Sequence, residues 1–154
     1  MTTAYDRIYL SQARKNLGRM LDFGCLDLGF GVEAFGSHFL RSGVAERFGG
    51  GESRLLAGMS GIELAREVLE CAGVSFRMPE NPVCRDAKGP EYWAAWSLAH
   101  YQWLRALPFA EIEDSVPVRD VLLMYDPYHE MDISAFVEEI DRRCCRDNPT
   151  RGMI

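Results

Sequence analysis

Residues 90–107 read Pro90-Glu91-Tyr92-Trp93-Ala94-Ala95-Trp96-Ser97-Leu98-Ala99-His100-Tyr101-Gln102-Trp103-Leu104-Arg105-Ala106-Leu107 and hold all three tryptophans of the chain. At about 100° per residue, Trp93, Trp96, His100, Trp103, Leu104 and Leu107 fall on one side of a helix. Ala95, Ala99, Gln102 and Ala106 make a narrow side of small residues. Pro90 suits the first helical position, where its missing N–H costs nothing, and Glu91 is favoured by the helix dipole. Apolar or small residues extend most of the way round. Neighbours are therefore expected on at least two faces, the alanine side allowing close backbone approach. This stretch predicts the centre of an all-helical fold.

Working towards the N-terminus, residues 74–89 carry Pro79, Pro82 and several polar residues and read as the one long connection, with 75–78 briefly extended. Before it, Ser60 and Glu63 form a capping box, with Met59 and Leu64 as its hydrophobic staple. A helix from Gly61 should bury Ile62, Leu64 or Ala65, Val68 and Leu69 and stop at Gly73. Residues 5–28 place Leu10, Ala13, Leu17, Met20, Leu21, Gly24 and Leu28 at spacings of three and four, with Arg7, Arg14, Lys15 and Arg19 making the first half basic. Gly29 and Gly31 end that helix. A shorter one over 32–41 buries Phe35 and Phe39, and 44–48 adds a turn. Gly49, Gly50 and Gly51 resemble a phosphate loop only superficially, because no strand precedes them and no GK[ST] completes them.

Towards the C-terminus, a short helix carries Phe109, Ile112 and Val116, and Ser115 and Pro117 open another with Val118, Val121, Leu122 and Tyr125 on one face. Asp132 caps a last helix whose stripe is Ile133, Phe136, Val137, Ile140 and Cys144. The tail beyond Arg146 is expected to fray. With no alternating strand and no internal repeat, the fold expected is all-α: a single compact, non-repetitive bundle of six to eight helices around the tryptophan-rich helix, spanning residues 1–154 as one domain.

At 154 residues, 47% hydrophobic and 26% charged, the composition is that of a globular protein able to fold without metal or disulfide. The five cysteines, Cys25, Cys71, Cys84, Cys144 and Cys145, have neither CxxC nor zinc-finger spacing, which argues for reduced thiols and a cytoplasmic setting. Neither an export signal nor an apolar run of membrane-spanning length is legible. The net charge of −6 is unevenly spread. Residues 109–141 hold ten acidic residues against Arg119 alone, a balance of −9 that leaves +3 elsewhere. Such a lobe repels nucleic acid and favours a basic protein surface. The candidate partner-binding residues are Glu111, Glu113, Asp114, Asp120, Glu138 and Glu139. The plainer reading of the same charges is a solvated face that maintains solubility.

The densest polar cluster is Asp126-Pro127-Tyr128-His129-Glu130-Met131-Asp132. Its residue types suit a metal or an acid–base pair, but Asp126 precedes a proline, Asp132 caps a helix and no second histidine is near in sequence, so neither a metal nor a catalytic set is assigned. No cofactor is implied. His100 is expected to be a core histidine with a hydrogen-bond partner, for which His129 and Glu130 are candidates. The competing expectation is a small-molecule pocket between the tryptophan helix and the 125–132 turn. It would be lined by Trp93, Trp96, His100, Trp103, Tyr125, His129 and Glu130, and would need about 300 Å³ or more. Of the adjacent thiols Cys144 and Cys145, flanked by Arg142, Arg143 and Arg146, Cys145 is the one off the buried stripe and so the candidate reactive thiol.

The runs SGVAERF, AGMSGIELAREVL, PEYWAAWSLAHYQW and MYDPYHEMDISAFVEEID, covering roughly residues 9–144, resemble an uncharacterised family of small helical bacterial proteins of gut-anaerobe type. Members of that family neighbour genes for toxins similar to ADP-ribosyltransferases. Met59 stands where the family has a lysine, and the glycine loop before it is longer. The resemblance transfers no catalytic residue. It implies an antitoxin, immunity or regulatory role, and together with the acidic lobe it makes a non-enzymatic protein that binds a basic partner the leading expectation. A DNA-binding role for the helices between Phe35 and Leu69 is disfavoured by too little positive charge.

Overall fold

The computed structural model describes residues 2–81 and 88–147, the side chains of 145–147 excepted. Apart from Asp147, which is helical, the expected tail lies outside the described residues, as does Cys145 as a side chain and the middle of the connection before Pro90. Asp6 Oδ1 accepts the Ile8 N–H at 3.0 Å and opens a 3₁₀ turn, Arg7–Tyr9, which runs into helix α1, Leu10–Asp22. Its apolar stripe is buried from Leu10 to Leu21. The stripe expected over 5–28 is thus one continuous path but not one helix type. It tightens at the start and widens into a π turn at Phe23–Asp27, where the Leu28 N–H reaches Phe23 O at 3.0 Å. Gly24 in that turn lies against Phe35, since a Cβ there would come within 2.5 Å of the Phe35 ring. Gly29, at φ 80°, then turns the chain in a conformation that favours glycine.

Helices α2, Val32–Arg41, and α3, Val44–Gly49, follow as the periodicity predicts, with Phe35, Phe39 and Phe48 buried. A single turn, α4, Ser53–Leu56, sinks Leu55 and Leu56 into the core. Helix α5, Gly61–Cys71, carries the predicted capping box: the Glu63 N–H donates to Ser60 Oγ at 3.1 Å and the Ser60 N–H to Glu63 Oε1 at 3.2 Å. The tryptophan helix is α6, Pro90–Arg105, two residues shorter than expected because Ala106 turns left-handed at φ 52°. Then come α7, Phe109–Ser115; α8, Val118–Leu123; α9, Tyr125–Tyr128; and α10, Ile133–Asp147. The described residues thus form ten α-helices and no strand, against six to eight expected. The two unforeseen ones, α4 and α9, are four residues each, too short to show a period in sequence.

The most extensive helix contact is between α1 and α6. They run antiparallel: Trp103 Nε1 donates to Tyr5 O at 2.8 Å, Arg14 Nε to Trp96 O at 3.3 Å, and Gly18 lies against the Tyr92 ring. Helix α6 also touches α8, α9 and α10. Helix α5 lies across α1 at Gly61, where a Cβ would collide with the Arg19 side chain and come within 2.8 Å of Asn16 O. On α6 the narrow side is deep within the helix, Ala95, Ala99 and Gln102 being buried, while Ala106, past the helix end, is exposed; Ala94 and Tyr101 on the adjoining face are buried too. The indole side is divided. Trp93 and Trp103 are buried, whereas Trp96, His100 and Leu104 are only half-buried.

Candidate functional site

The half-buried part of the indole side opens on a cavity of about 530 Å³. Its walls come from three places: Arg7, Leu10, Ser11, Arg14 and Lys15 near the start of the chain; Lys88, just before α6, with Tyr92, Trp93 and Trp96 from its N-terminal half; and Tyr125 and His129 from α9 and the residue that caps it. Each element presents its residues for a local reason. Arg7, Ser11, Arg14 and Lys15 are spaced i, i+4, i+7 and i+8, so they share one flank beside the buried stripe of α1. Tyr92, Trp93 and Trp96 occupy the first turns of α6, directly after the proline that starts it. Tyr125 and His129 are four apart across a single helical turn, and their rings stack at 3.8 Å with 6° between planes.

Trp93 meets the Tyr125 ring edge-on at 6.0 Å and the buried Phe136 at 5.4 Å, so one wall of the cavity is continuous with the core. The Arg14 guanidinium lies 3.4 Å from the centroid of Trp96, a cation–π contact on a half-buried side chain. Its Nη2 is sealed from solvent without a hydrogen-bond partner. Burial holds its pKa down to about 10, with Tyr92 and Tyr5 opposing the shift. Lys88 Nζ stands 5.1 Å from the Tyr92 ring. Burial likewise raises the pKa of Tyr5 and of Tyr92, with Arg14 pulling both down. Both phenols are therefore neutral at ordinary pH.

Of the ligand-binding candidates read from sequence, Trp93, Trp96, Tyr125 and His129 line the cavity and Trp103, His100 and Glu130 do not. Trp103 is a structural tie, its indole N–H bound to Tyr5 O and its carbonyl accepting the Ala4 N–H at 2.9 Å. His100 lies 5.8 Å from the Trp103 ring, and its Nδ1 has no hydrogen-bond partner. Neither His129 nor Glu130 reaches it. The His129 Nδ1 is instead 2.6 Å from Tyr125 O and 3.4 Å from Asp126 Oδ1, and its Nε2 is 3.7 Å from the exposed Glu130. The expected link between the two aromatic segments runs through Trp93 and Tyr125, because the short α9 holds the His129 ring against its own turn. Burial pushes the His100 pKa down to about 4, reinforced by Arg14 and Arg7 and opposed by Asp132.

The residues that sequence reading did not attach to the pocket are Arg7, Leu10, Ser11, Arg14, Lys15, Lys88 and Tyr92. The basic flank of α1 was legible as a charge pattern. That it faces α6 is a matter of tertiary pairing.

The acidic candidates scatter. Glu111 and Asp114 are exposed on α7, Asp120 is half-buried on α8 and Glu138 is exposed on α10. Glu113 Oε2 accepts the Val118 N–H at 2.9 Å and so caps α8, and burial raises its pKa. Glu139 bonds Arg142 and Arg143 on its own helix. Arg119, the one cation of the 109–141 stretch, pairs with Glu33 at 2.8 Å. Asp132 Oδ2 accepts the Ser134 N–H at 3.0 Å, the capping role its position predicts. Among the described residues no group of three or more His, Cys, Asp or Glu is arranged to hold a metal ion, and no helix is long and apolar enough to cross a membrane. Cys144 is buried, 3.9 Å from the Tyr101 hydroxyl, and burial pushes the Cys25 thiol up to about 12. No family model matches the chain, and neither a curated protein nor a solved structure matches it.

Proposed function

We propose that this protein is a small-molecule-binding module whose ligand occupies the cavity between the tryptophan helix and the 125–132 turn. The observation that carries the reading is the coincidence of that cavity, about 530 Å³, with Trp93, Trp96, Tyr125 and His129, four of its five aromatic lining residues. The volume lies within the range of about 300–1,000 Å³ that holds drug-sized ligands. Aromatic walls supply apolar contact area, and the polar groups of Ser11, Tyr92 and His129 supply orientation. The reading is one of binding. No nucleophile and base are held together at the cavity, so it assigns no reaction.

The three tryptophans make a built-in reporter. In a ¹⁵N-labelled sample, a ligand in the cavity shifts the indole N–H signals of Trp93 and Trp96 and leaves that of Trp103, which is hydrogen-bonded to Tyr5 O outside it. Screening a few hundred polar and aromatic fragments should find such compounds, and Ser11→Trp, placing an indole at the exposed rim, should abolish their effect. A screen in which no compound moves Trp93 or Trp96, or in which Ser11→Trp binds as well as the parent, removes the proposal.

A second reading keeps the acidic surface as a docking face through which this protein neutralises a basic, toxin-like partner. What favours it is the exposure of two large apolar side chains, Leu123 at 74% and Met131 at 49%, close in sequence to Asp120, Asp126, Glu130 and Asp132. Apolar area bordered by charge is the composition of a protein-binding patch. Leu123→Glu together with Met131→Glu should abolish a stoichiometric, salt-sensitive complex with a basic partner if this surface is used; unchanged association would exclude it.

A further inference from the structure

The cations of this acidic protein are not evenly partnered. Several arginines away from the cavity, Arg19, Arg54, Arg66, Arg105 and Arg119, hold a carboxylate within 4.0 Å, whereas Arg41 bonds His38 instead. The four cations that line the cavity, Arg7, Arg14, Lys15 and Lys88, form no ion pair with any described residue, and no carboxylate is among the lining residues. Arg14 is the most telling of them. Its half-buried guanidinium is stacked on an indole and donates through Nε to Trp96 O, yet one nitrogen is sealed and unpartnered and no carboxylate meets its charge, so its desolvation is only partly offset. The nearest carboxylates on the cavity's other side, Asp126 and Glu130, lie by His129. The cavity is therefore asymmetric: cationic where α1 and the turn before it form the wall, aromatic where α6 and α9 do.

We propose that the cavity takes a flat conjugated ring bearing a phosphate or similar doubly negative group, the anion towards Arg7, Arg14 and Lys15 and the ring among Trp93, Trp96, Tyr125 and His129. This rests on the small-molecule reading above and names its ligand class. Cations without carboxylate partners bind such an anion without first having to break an ion pair, and arginine offers it paired N–H donors. The aromatic walls add stacking and edge contacts that a free inorganic anion cannot make.

The test uses the full chain and a matched set of probes: 1-naphthyl phosphate, 1-naphthol, 1-naphthylmethylamine and inorganic phosphate. Each is followed by calorimetry and by the three indole N–H signals. The naphthyl phosphate should shift Trp93 and Trp96 and bind about tenfold or more tightly than the neutral naphthol or the inorganic anion. The amine should not bind. Affinity should fall with added salt, and fall to the level of naphthol in Arg7→Gln/Lys15→Gln. Both side chains are exposed and in no ion pair, so that variant should keep the parent melting temperature. If naphthol or the amine shifts Trp93 and Trp96 as strongly as the phosphate, or the double variant binds the phosphate undiminished, the anion assignment is overturned while the cavity remains a binding site. Inorganic phosphate binding as tightly as the naphthyl ester overturns the ring assignment. Silence from all four probes, with silence in the fragment screen, overturns the cavity reading itself.

Discussion

Asn16 interrupts the apolar stripe of α1 with a buried carboxamide. Its Nδ2 donates to Leu56 O at 2.8 Å and to Met59 O at 2.9 Å, and its Oδ1 accepts from Gln12. One side chain thus satisfies two carbonyls at the end of α4 and before α5 that no helix serves. Truncation should be costly for that reason: Asn16→Ala is expected to lose about 2–4 kcal/mol of unfolding free energy, measured by urea titration. A loss under about 1 kcal/mol would mean that solvent reaches those carbonyls. His100 makes a second prediction at this scale. Its folded pKa of about 4 lies below the ordinary value of 6.5, so the unfolded chain binds the extra proton first. The contribution is complete above about pH 6.5 and is lost as pH falls through about 4. The facing charges are Arg7 and Arg14, which depress this pKa, and Asp132, which raises it. Stability measured from pH 7 to 4 should therefore decline less steeply in His100→Gln than in the parent, and parallel curves would contradict the assignment.

Between elements, the glycines act as spacers. Gly61 sits at the first position of α5 against α1, where any Cβ meets the Arg19 side chain and the Asn16 carbonyl. In an isolated helix alanine is the better residue by about 1 kcal/mol. Here Gly61→Ala should destabilise by about 1–3 kcal/mol, because overpacking two helices outweighs propensity. Thermal melting of the variant decides the sign. The capping box that starts this helix was readable from Ser60 and Glu63 alone, and α2 from its phenylalanines, since both signals are local. The π turn at Phe23–Asp27 was not readable. It is accompanied by the Phe35 ring packed on Gly24, a contact with a residue outside the turn that no local pattern encodes.

Across the whole molecule, charge is segregated in a way that total composition hides. The 109–141 stretch is strongly negative, yet the cavity gathers Arg7, Arg14, Lys15 and Lys88 beside the half-buried Trp96. Small anions should accumulate there relative to small cations. Iodide should accordingly quench tryptophan emission more efficiently than caesium at equal ionic strength, and Trp96→Phe should remove most of the difference. Equal quenching by the two ions would show that the surrounding acidic surface cancels the local field.

What the sequence determined by itself is whatever depends on neighbours three or four residues away. The all-helical class, the stripes on α1 and α10, the capping box and the tryptophan helix starting at Pro90 all have that origin. Only the tertiary structure decided which side of that helix is deep. Ala95 and Ala99 permit close approach and are buried, while Trp96, His100 and Leu104 on the indole side are left half-buried. It also decided that a basic flank more than 80 residues earlier in the chain forms the opposite wall, because antiparallel pairing of α1 with α6 is a long-range choice that no local period encodes.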